Sequence, residues 1–206
     1  MRLFVGMTPP PEALAHAAGA VDRIASTAPD MRWVPPQRWH VTLAFLGEVE
    51  RDRILRIEAA LDEVAAEHPP LEDLRIEGAG SFQGALWLSI APAGRHSPAD
   101  RLARAVQRAM RAVGVPVERR PWRAHLTIAR WGPAPERDRS ARSARDALGD
   151  YSGPAFSIHR IALVHSVTGP HPAYSDVATF ELCHVGNLGG SAERRTEPAP
   201  SRSPKV

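Results

Sequence analysis

Two imidazoles and two hydroxyls carry the one repeated piece of chemistry in this 206-residue chain. His40 and Thr42 lie in the apolar run Trp39-His40-Val41-Thr42-Leu43-Ala44-Phe45-Leu46-Gly47, and His125 and Thr127 lie in Trp122-Arg123-Ala124-His125-Leu126-Thr127-Ile128-Ala129-Arg130. Both runs read as strands, being rich in β-branched and aromatic residues. Side chains alternate between the faces of a strand. His40, Thr42 and Ala44 are therefore expected on one face, and Val41, Leu43 and Phe45 on the other. The same alternation groups His125 with Thr127 and sets Leu126 and Ile128 behind them. A single strand histidine is more often structural than reactive. Two His-x-Thr pairs, 85 positions apart in matching strands, point instead to one shared site.

Set on either side of a phosphorus atom, the two imidazoles supply what in-line displacement requires: a base for the entering oxygen and an acid for the leaving one. Histidine suits both roles because its unperturbed pKa of about 6.5 lets either form exist near neutrality. The two threonine hydroxyls would donate to the non-bridging oxygens, where charge develops. These residues alone leave the acid and base roles interchangeable. No metal or cofactor is needed if the phosphate is already activated, as a five-membered 2′,3′-cyclic phosphate at an RNA end is. His40 and His125 could provide two ligands to a zinc ion, but no third stands at ligand spacing, so the acid–base reading is preferred.

Composition removes several other classes. Lys205 is the only lysine, which argues against a lysyl-nucleotide ligase or a Gly-Lys-Ser/Thr phosphate loop. Cys183 is the only cysteine, so no intrachain disulfide forms and a cytoplasmic location is expected. The formal charge is +3, of which the last twenty residues contribute four cations against two carboxylates. The rest is near neutral, so anion affinity must be local.

The elements that must position these residues follow a repeated pattern. A strand over 2–7 leads to a helix capped by Thr8, with Leu14, Ala17, Ala18, Val21 and Ile24 at helical spacing. Pro29–Gln37 reads as a loop before the first His-x-Thr strand. A helix through Ile57, Leu61 and Val64 and a strand over Leu71–Phe82 complete the first half. The second half repeats it: a strand over Ala85–Ala91, a helix capped by Ser97 and ended by Gly114, the second His-x-Thr strand, and an Arg-rich helix over Glu136–Leu148. One long strand, Phe156–His165, then pairs with Tyr174–His184 as a hairpin across Gly169-Pro170. Phe4 to His40 spans 36 positions and Trp87 to His125 spans 38, while His40 to Ile76 and His125 to Ile161 each span 36. This duplicated β-α-β-α-β order predicts an α+β fold of two pseudo-symmetric lobes. Mainly antiparallel sheets would face a groove, with helices outside. Residues 1–185 form that bilobal domain. From Gly186 the chain turns to Gly, Ser, Pro, Glu and Arg, and a disordered tail is expected over 186–206.

With these motifs the chain resembles the 2H phosphoesterases, and within them the RNA 2′,3′-cyclic phosphodiesterases, also called 2′-5′ RNA ligases. That family is defined by two His-x-Thr-x motifs, matched by His40-Val41-Thr42-Leu43 and His125-Leu126-Thr127-Ile128. Arg2-Leu3-Phe4-Val5 resembles its opening strand, Leu43-Ala44-Phe45-Leu46-Gly47 the tail of its first motif, Ile128-Ala129-Arg130 the end of its second, and Ser166, Gly169 and Tyr174 its C-terminal hairpin. Ala124 stands where the family usually has proline. The resemblance implies opening of the cyclic phosphate to a 2′-phosphomonoester, with His40 as proton donor to the 3′-oxygen and His125 as acceptor from water. It also implies phosphate contacts from Thr42 and Thr127, substrate contacts from Ser166 and Tyr174, and a possible reverse 2′-5′ ligation.

The remaining candidates rank below these. Arg130 is weighed as a phosphate or RNA clamp, although alternation puts it opposite His125. Phe45 is expected in the core, and Trp33 is read as cover for the core rather than a base platform. His165 and His171 are noted for their place near the hairpin. A monomer is expected, acting on RNA ends or nucleotides with a 2′,3′-cyclic phosphate, with no membrane. The rival readings are a non-catalytic RNA-end-binding module, which would tolerate loss of one histidine, and an enzyme opening another cyclic or 2′-5′ phosphodiester.

Overall fold

The computed structural model describes residues 1–183 apart from 83, 119, 120, 168 and 170–172. The expected 186–206 tail, His171 and the Pro170 turn lie outside the described residues. The elements are β1 (Arg2–Met7), α1 (Pro11–Ala25), β2 (Arg32–Trp33), β3 (Val41–Glu48), α2 (Ile54–Ala66), β4 (Leu71–Phe82), β5 (Ala85–Ala91), α3 (Pro98–Ala112), β6 (His125–Arg130), α4 (Pro135–Ala147), β7 (Ser152–Ile158), β8 (Arg160–Val167) and β9 (Ala173–Glu181). No described helix is long and apolar enough to cross a membrane.

The strands lie in the order β7-β4-β5-β6-β3-β1-β8-β9, with β2 beside β6. The described pairings are all antiparallel, so the α+β antiparallel expectation holds. The order divides at β3 and β6, which share one bridge pair, Val41 with Leu126. One half-sheet is β3-β1-β8-β9 and the other is β6-β5-β4-β7. The two lobes are not consecutive in the chain. β4 comes from the first repeat but pairs with β5 and β7, and β8 comes from the second but pairs with β1 and β9. The helices cross likewise: α2 and α3 back the first half-sheet, α1 and α4 the second.

That exchange explains why Phe156–His165 is two strands rather than one. β7 pairs with β4 up to Ile158, and β8 pairs with β9 from Arg160. His159 marks the passage between lobes. The local sequence carries no Gly or Pro there, so nothing in its pattern announces the break. The other corrections are local. Pro10, not Thr8, precedes the first turn of α1, and it supplies no side-chain cap. The expected Pro29–Gln37 loop contains β2 and, over Pro36–Arg38, the start of a 3₁₀ turn. Ser97 does cap α3, its hydroxyl accepting from the Asp100 amide at 3.2 Å.

The core lies on the helix-facing side of both half-sheets. Leu3, Val5, Val41, Leu43, Leu126 and Ile128 are at most 1% exposed, and they belong to one core with Leu61, Leu102, Val106 and Met110 from the helices. This buried apolar face anchors the two site strands, because a one-residue slip in either would turn the whole apolar set toward water.

Candidate active site

Both histidines stand at the first residue of a strand or just before it, where the ladder begins. The Val41–Leu126 pair fixes how the two strands meet. In antiparallel register, residues either side of a pair also face each other. His40 is thus set opposite Thr127, and Thr42 opposite His125. Directly opposed residues share a face. The four side chains therefore stand together on one face as a crossed square, while Val41 and Leu126 are buried behind it. The Trp122 indole ties the two segments, donating to the Thr42 carbonyl at 2.8 Å. The pseudo-two-fold relation carries His40 onto His125.

The two rings are held in the same way. His40 Nδ1 lies 2.9 Å from the Arg38 carbonyl, and His125 Nδ1 lies 2.8 Å from the Arg123 carbonyl. A carbonyl can only accept, so each Nδ1 carries its hydrogen and donates it. This leaves Nε2 of each ring as the atom that takes or gives a proton. Each ring also has an aromatic wall. Phe4 stacks on His40 at 4.5 Å between centroids, and Tyr174 meets it edge-on at 5.0 Å. Phe82 meets His125 edge-on at 5.2 Å, and Trp87 lies at 5.9 Å. Phe4 on β1 and Trp87 on β5 are the anchors of the two similar sequence spacings, but they are not counterparts in register: Trp87, opposite Thr127, corresponds to Gly6, opposite Thr42, and Phe4, opposite Phe45, to Ala85, opposite Arg130. Phe82 was not legible as a site residue; its only signal is its position at the end of a strand.

The register shifts at the same place in each site strand, and in β3 it shifts a second time, between Phe45 and Gly47. Gly6 pairs with Thr42 but Val5 with Ala44, and Trp87 pairs with Thr127 but Leu86 with Ala129. In each case two residues on the site strand face one step on its neighbour, which is a β-bulge. Leu43 and Ala44 are consecutively buried, as are Ile128 and Ala129. The carbonyls at the bulges find outside donors: Gln107 Nε2 reaches Leu43 O at 3.0 Å, and the Val34 amide reaches Ile128 O at 2.8 Å. Each bulge turns the fifth residue after its histidine back toward the histidine's face. Phe45 is therefore 42% exposed rather than in the core, with the Arg2 guanidinium 4.9 Å from its ring centre. Arg130 likewise lies on the side of His125 and Thr127, not opposite them.

Burial pushes the His40 pKa below the ordinary imidazole range, and the positive charges of His125 and Arg130 add to that. The hydrogen bond to the Arg38 carbonyl acts in the other direction. Both charges are thus close enough to be felt at His40.

The remaining candidates separate. Tyr174 reaches His40, and Ser166 pairs with Tyr174 across the β8–β9 hairpin. His165 is opposite the fully buried Leu3 and so faces away from the groove. Trp33 is half-buried and donates its indole N–H to the Ala28 carbonyl at 3.1 Å, which suits its reading as cover. Among the described residues, no three His, Cys, Asp or Glu side chains are grouped to hold a metal ion.

Comparison with known proteins places the chain in a family. The sequence model of the 2′-5′ RNA ligase superfamily matches residues 9–170. An RNA 2′,3′-cyclic phosphodiesterase of Geobacillus stearothermophilus is 33% identical over 179 residues, covering 82% of this chain but only 54% of that protein. One from Bacillus subtilis is 30% identical over 129 residues, 62% of this chain and 69% of that protein. Among solved structures, E. coli LigT complexed with 3′-AMP superposes with a TM-score of 0.69 at 19% identity, covering 89% of this chain and 98% of LigT. That likeness concerns the fold.

Proposed function

The chain belongs to the 2′-5′ RNA ligase superfamily, and from that membership we propose that it opens RNA 2′,3′-cyclic phosphate ends to 2′-phosphomonoesters by two-histidine acid–base catalysis. The observation that carries this reading is the matched pair of imidazoles, each tied through Nδ1 to the carbonyl two residues back and opposed by the other strand's threonine. Water attacks phosphorus while His125 Nε2 takes its proton. The bond to the 3′-oxygen breaks, and protonated His40 gives its Nε2 proton to that oxygen. The products are a 2′-phosphomonoester and a free 3′-hydroxyl, and solvent exchange restores the starting protonation. Thr42 and Thr127 donate to the non-bridging oxygens. The same site run backwards, with another RNA's 5′-hydroxyl in place of water, joins ends through a 2′-5′ bond. Phe45, open on the histidine side, offers a face on which the terminal base stacks.

The relatives named RNA 2′,3′-cyclic phosphodiesterase support this substrate. The test is incubation with a nucleoside 2′,3′-cyclic phosphate and with a cyclic-phosphate-ended oligonucleotide. Phosphorus NMR should show the 2′-phosphomonoester; a 3′-phosphomonoester, or no product, rejects the reading. Because two imidazoles and two hydroxyls complete the chemistry, EDTA is expected to leave the rate unchanged; a strong loss restored by a divalent ion counts against it.

The role of His40 can be read from a pH profile. Arg130 lowers the His40 pKa, so Arg130→Met should raise it. A proton donor must be protonated to act, so the alkaline limb of kcat/KM on a cyclic mononucleotide moves to higher pH. Were His40 the base, the acid limb would move instead. The two rings titrate as a coupled pair, so the limbs are assigned by their shift rather than by absolute position.

A further inference from the structure

Asp30, Arg32, Arg130, Trp131, Gly132 and Arg137 line a cleft of about 390 Å³. It lies at the end of β6, three residues beyond Thr127, a strand distance of roughly 10 Å. Its charge is one-sided: three guanidinium groups share it with a single carboxylate. Arg32 stands directly opposite Arg130 in the β2–β6 register. Like charges facing across an antiparallel pair destabilise it, and nothing in the fold requires cations at both positions. Among the described residues none of the three guanidinium groups forms an ion pair or a hydrogen bond. The carboxylates nearby are otherwise engaged. Asp30 accepts from the Ser140 hydroxyl at 3.2 Å, and Asp138 accepts from the Trp131 indole at 2.7 Å. Gly132 gives Arg137 room, since a Cβ there would come within 3.3 Å of its guanidinium.

The cleft is joined to the histidines through Arg130, which the β6 bulge turns to their side. On the function proposed above, on which this inference rests, His40 protonates the 3′-oxygen, so the ribose lies on the His40 side. The chain leaving that ribose through its 5′-oxygen starts from the same side. Arginine forks match phosphate oxygens two at a time, and the half-buried Trp131 indole, held through its N–H by Asp138, lies beside them.

We propose that the Arg32–Arg130–Arg137 cleft binds a backbone phosphate of the RNA on the 5′ side of the reacting nucleotide. The site thereby distinguishes an RNA end from a free mononucleotide.

The test is equilibrium binding, which does not depend on turnover. A fluorescein-labelled short RNA ending in a 2′-phosphate is titrated by anisotropy, and a nucleoside 2′-monophosphate is measured by competition. The wild-type chain should bind the RNA more tightly and with the steeper salt dependence. The double variant Arg32→Gln/Arg137→Gln should lose about tenfold to a hundredfold on the RNA, as expected for charge-assisted hydrogen bonds. Its log–log salt slope should flatten by about 0.7–1. The mononucleotide affinity should stay within about twofold, and the melting temperature should not fall, because a like-charge contact is removed. Equal loss on both ligands, no loss on the RNA, or no RNA preference in the wild type overturns the proposal. If the wild type binds RNA as expected but opens no cyclic phosphate, the cleft stands and the enzymatic reading falls.

Discussion

Replacing either His40 or His125 by alanine is expected to cost about 10²–10⁴-fold in turnover of a cyclic phosphate, the range that a positioned general acid or base supplies. Each imidazole offers one Nε2 to the catalytic face, and no other described side chain on that face can take a proton near neutral pH. The double variant should be little worse than either single one, because acid and base act in one transition state. The fold should survive. Neither ring belongs to the buried apolar set behind β3 and β6, and each is held by a carbonyl and aromatic contacts. His40→Ala removes the ring stacked on Phe4 and edged by Tyr174. Such contacts are worth about 0.5–1.5 kcal/mol each, together about 1–3 kcal/mol, so the melting temperature should fall by roughly 2–12 °C with the fold retained. The measurements are kcat/KM on a cyclic mononucleotide and thermal unfolding of the same samples. A histidine-to-alanine variant that keeps full turnover would reject the acid–base mechanism and favour a binding module. One that loses activity only because it is unfolded would show that the ring is structural.

Gly80→Ala should have the second-largest effect, although Gly80 carries no chemistry. Gly80 pairs with Trp87 across β4 and β5, and a Cβ there would lie 2.1 Å from the indole. That distance is impossible, and a rigid, buried ring cannot give by the ångström or more required. Overpacking of this kind costs typically 1–3 kcal/mol and occasionally more. At the upper end, a domain of this size should lose roughly 6–12 °C in melting temperature. The indole also walls His125 and is covered by the Arg123 guanidinium at 5.2 Å. Arg123 in turn supplies the carbonyl that holds His125 Nδ1. Displacing Trp87 should therefore lower kcat about tenfold or more, with less change in KM. Gly80→Ala/Trp87→Leu restores space without restoring the wall, so it should recover part of the stability and little of the rate. If Gly80→Ala melts and turns over like the wild type, the indole does not position His125.

The two predictions rest on different kinds of legibility. His40 and His125 stand out in the sequence because reactive residues recur in similar apolar strands. Gly80 does not, because its importance comes from a tryptophan that arrives from the next strand. The bulges were hidden for a related reason. A bulge needs one residue unpaired against a neighbour, and its carbonyl needs a donor from elsewhere. For Leu43 that donor is Gln107, sixty-four positions away. Strict alternation therefore put Phe45 in the core and Arg130 behind the site, and the structure reverses both placements.

The amino-acid order by itself determined the periodicities: apolar strands with one His-x-Thr each, helices between them, and a doubled arrangement implying an antiparallel α+β fold. These depend on local spacing and on which side chains water rejects. The tertiary structure alone decided the partners. It exchanged β4 and β8 between lobes, split Phe156–His165 at His159, and joined β3 to β6 so that each histidine faces the other strand's threonine. It also brought Arg32 and Arg137 to Arg130. Strand pairing is set by long-range packing of two buried faces, and no residue carries a local mark of the strand it will meet.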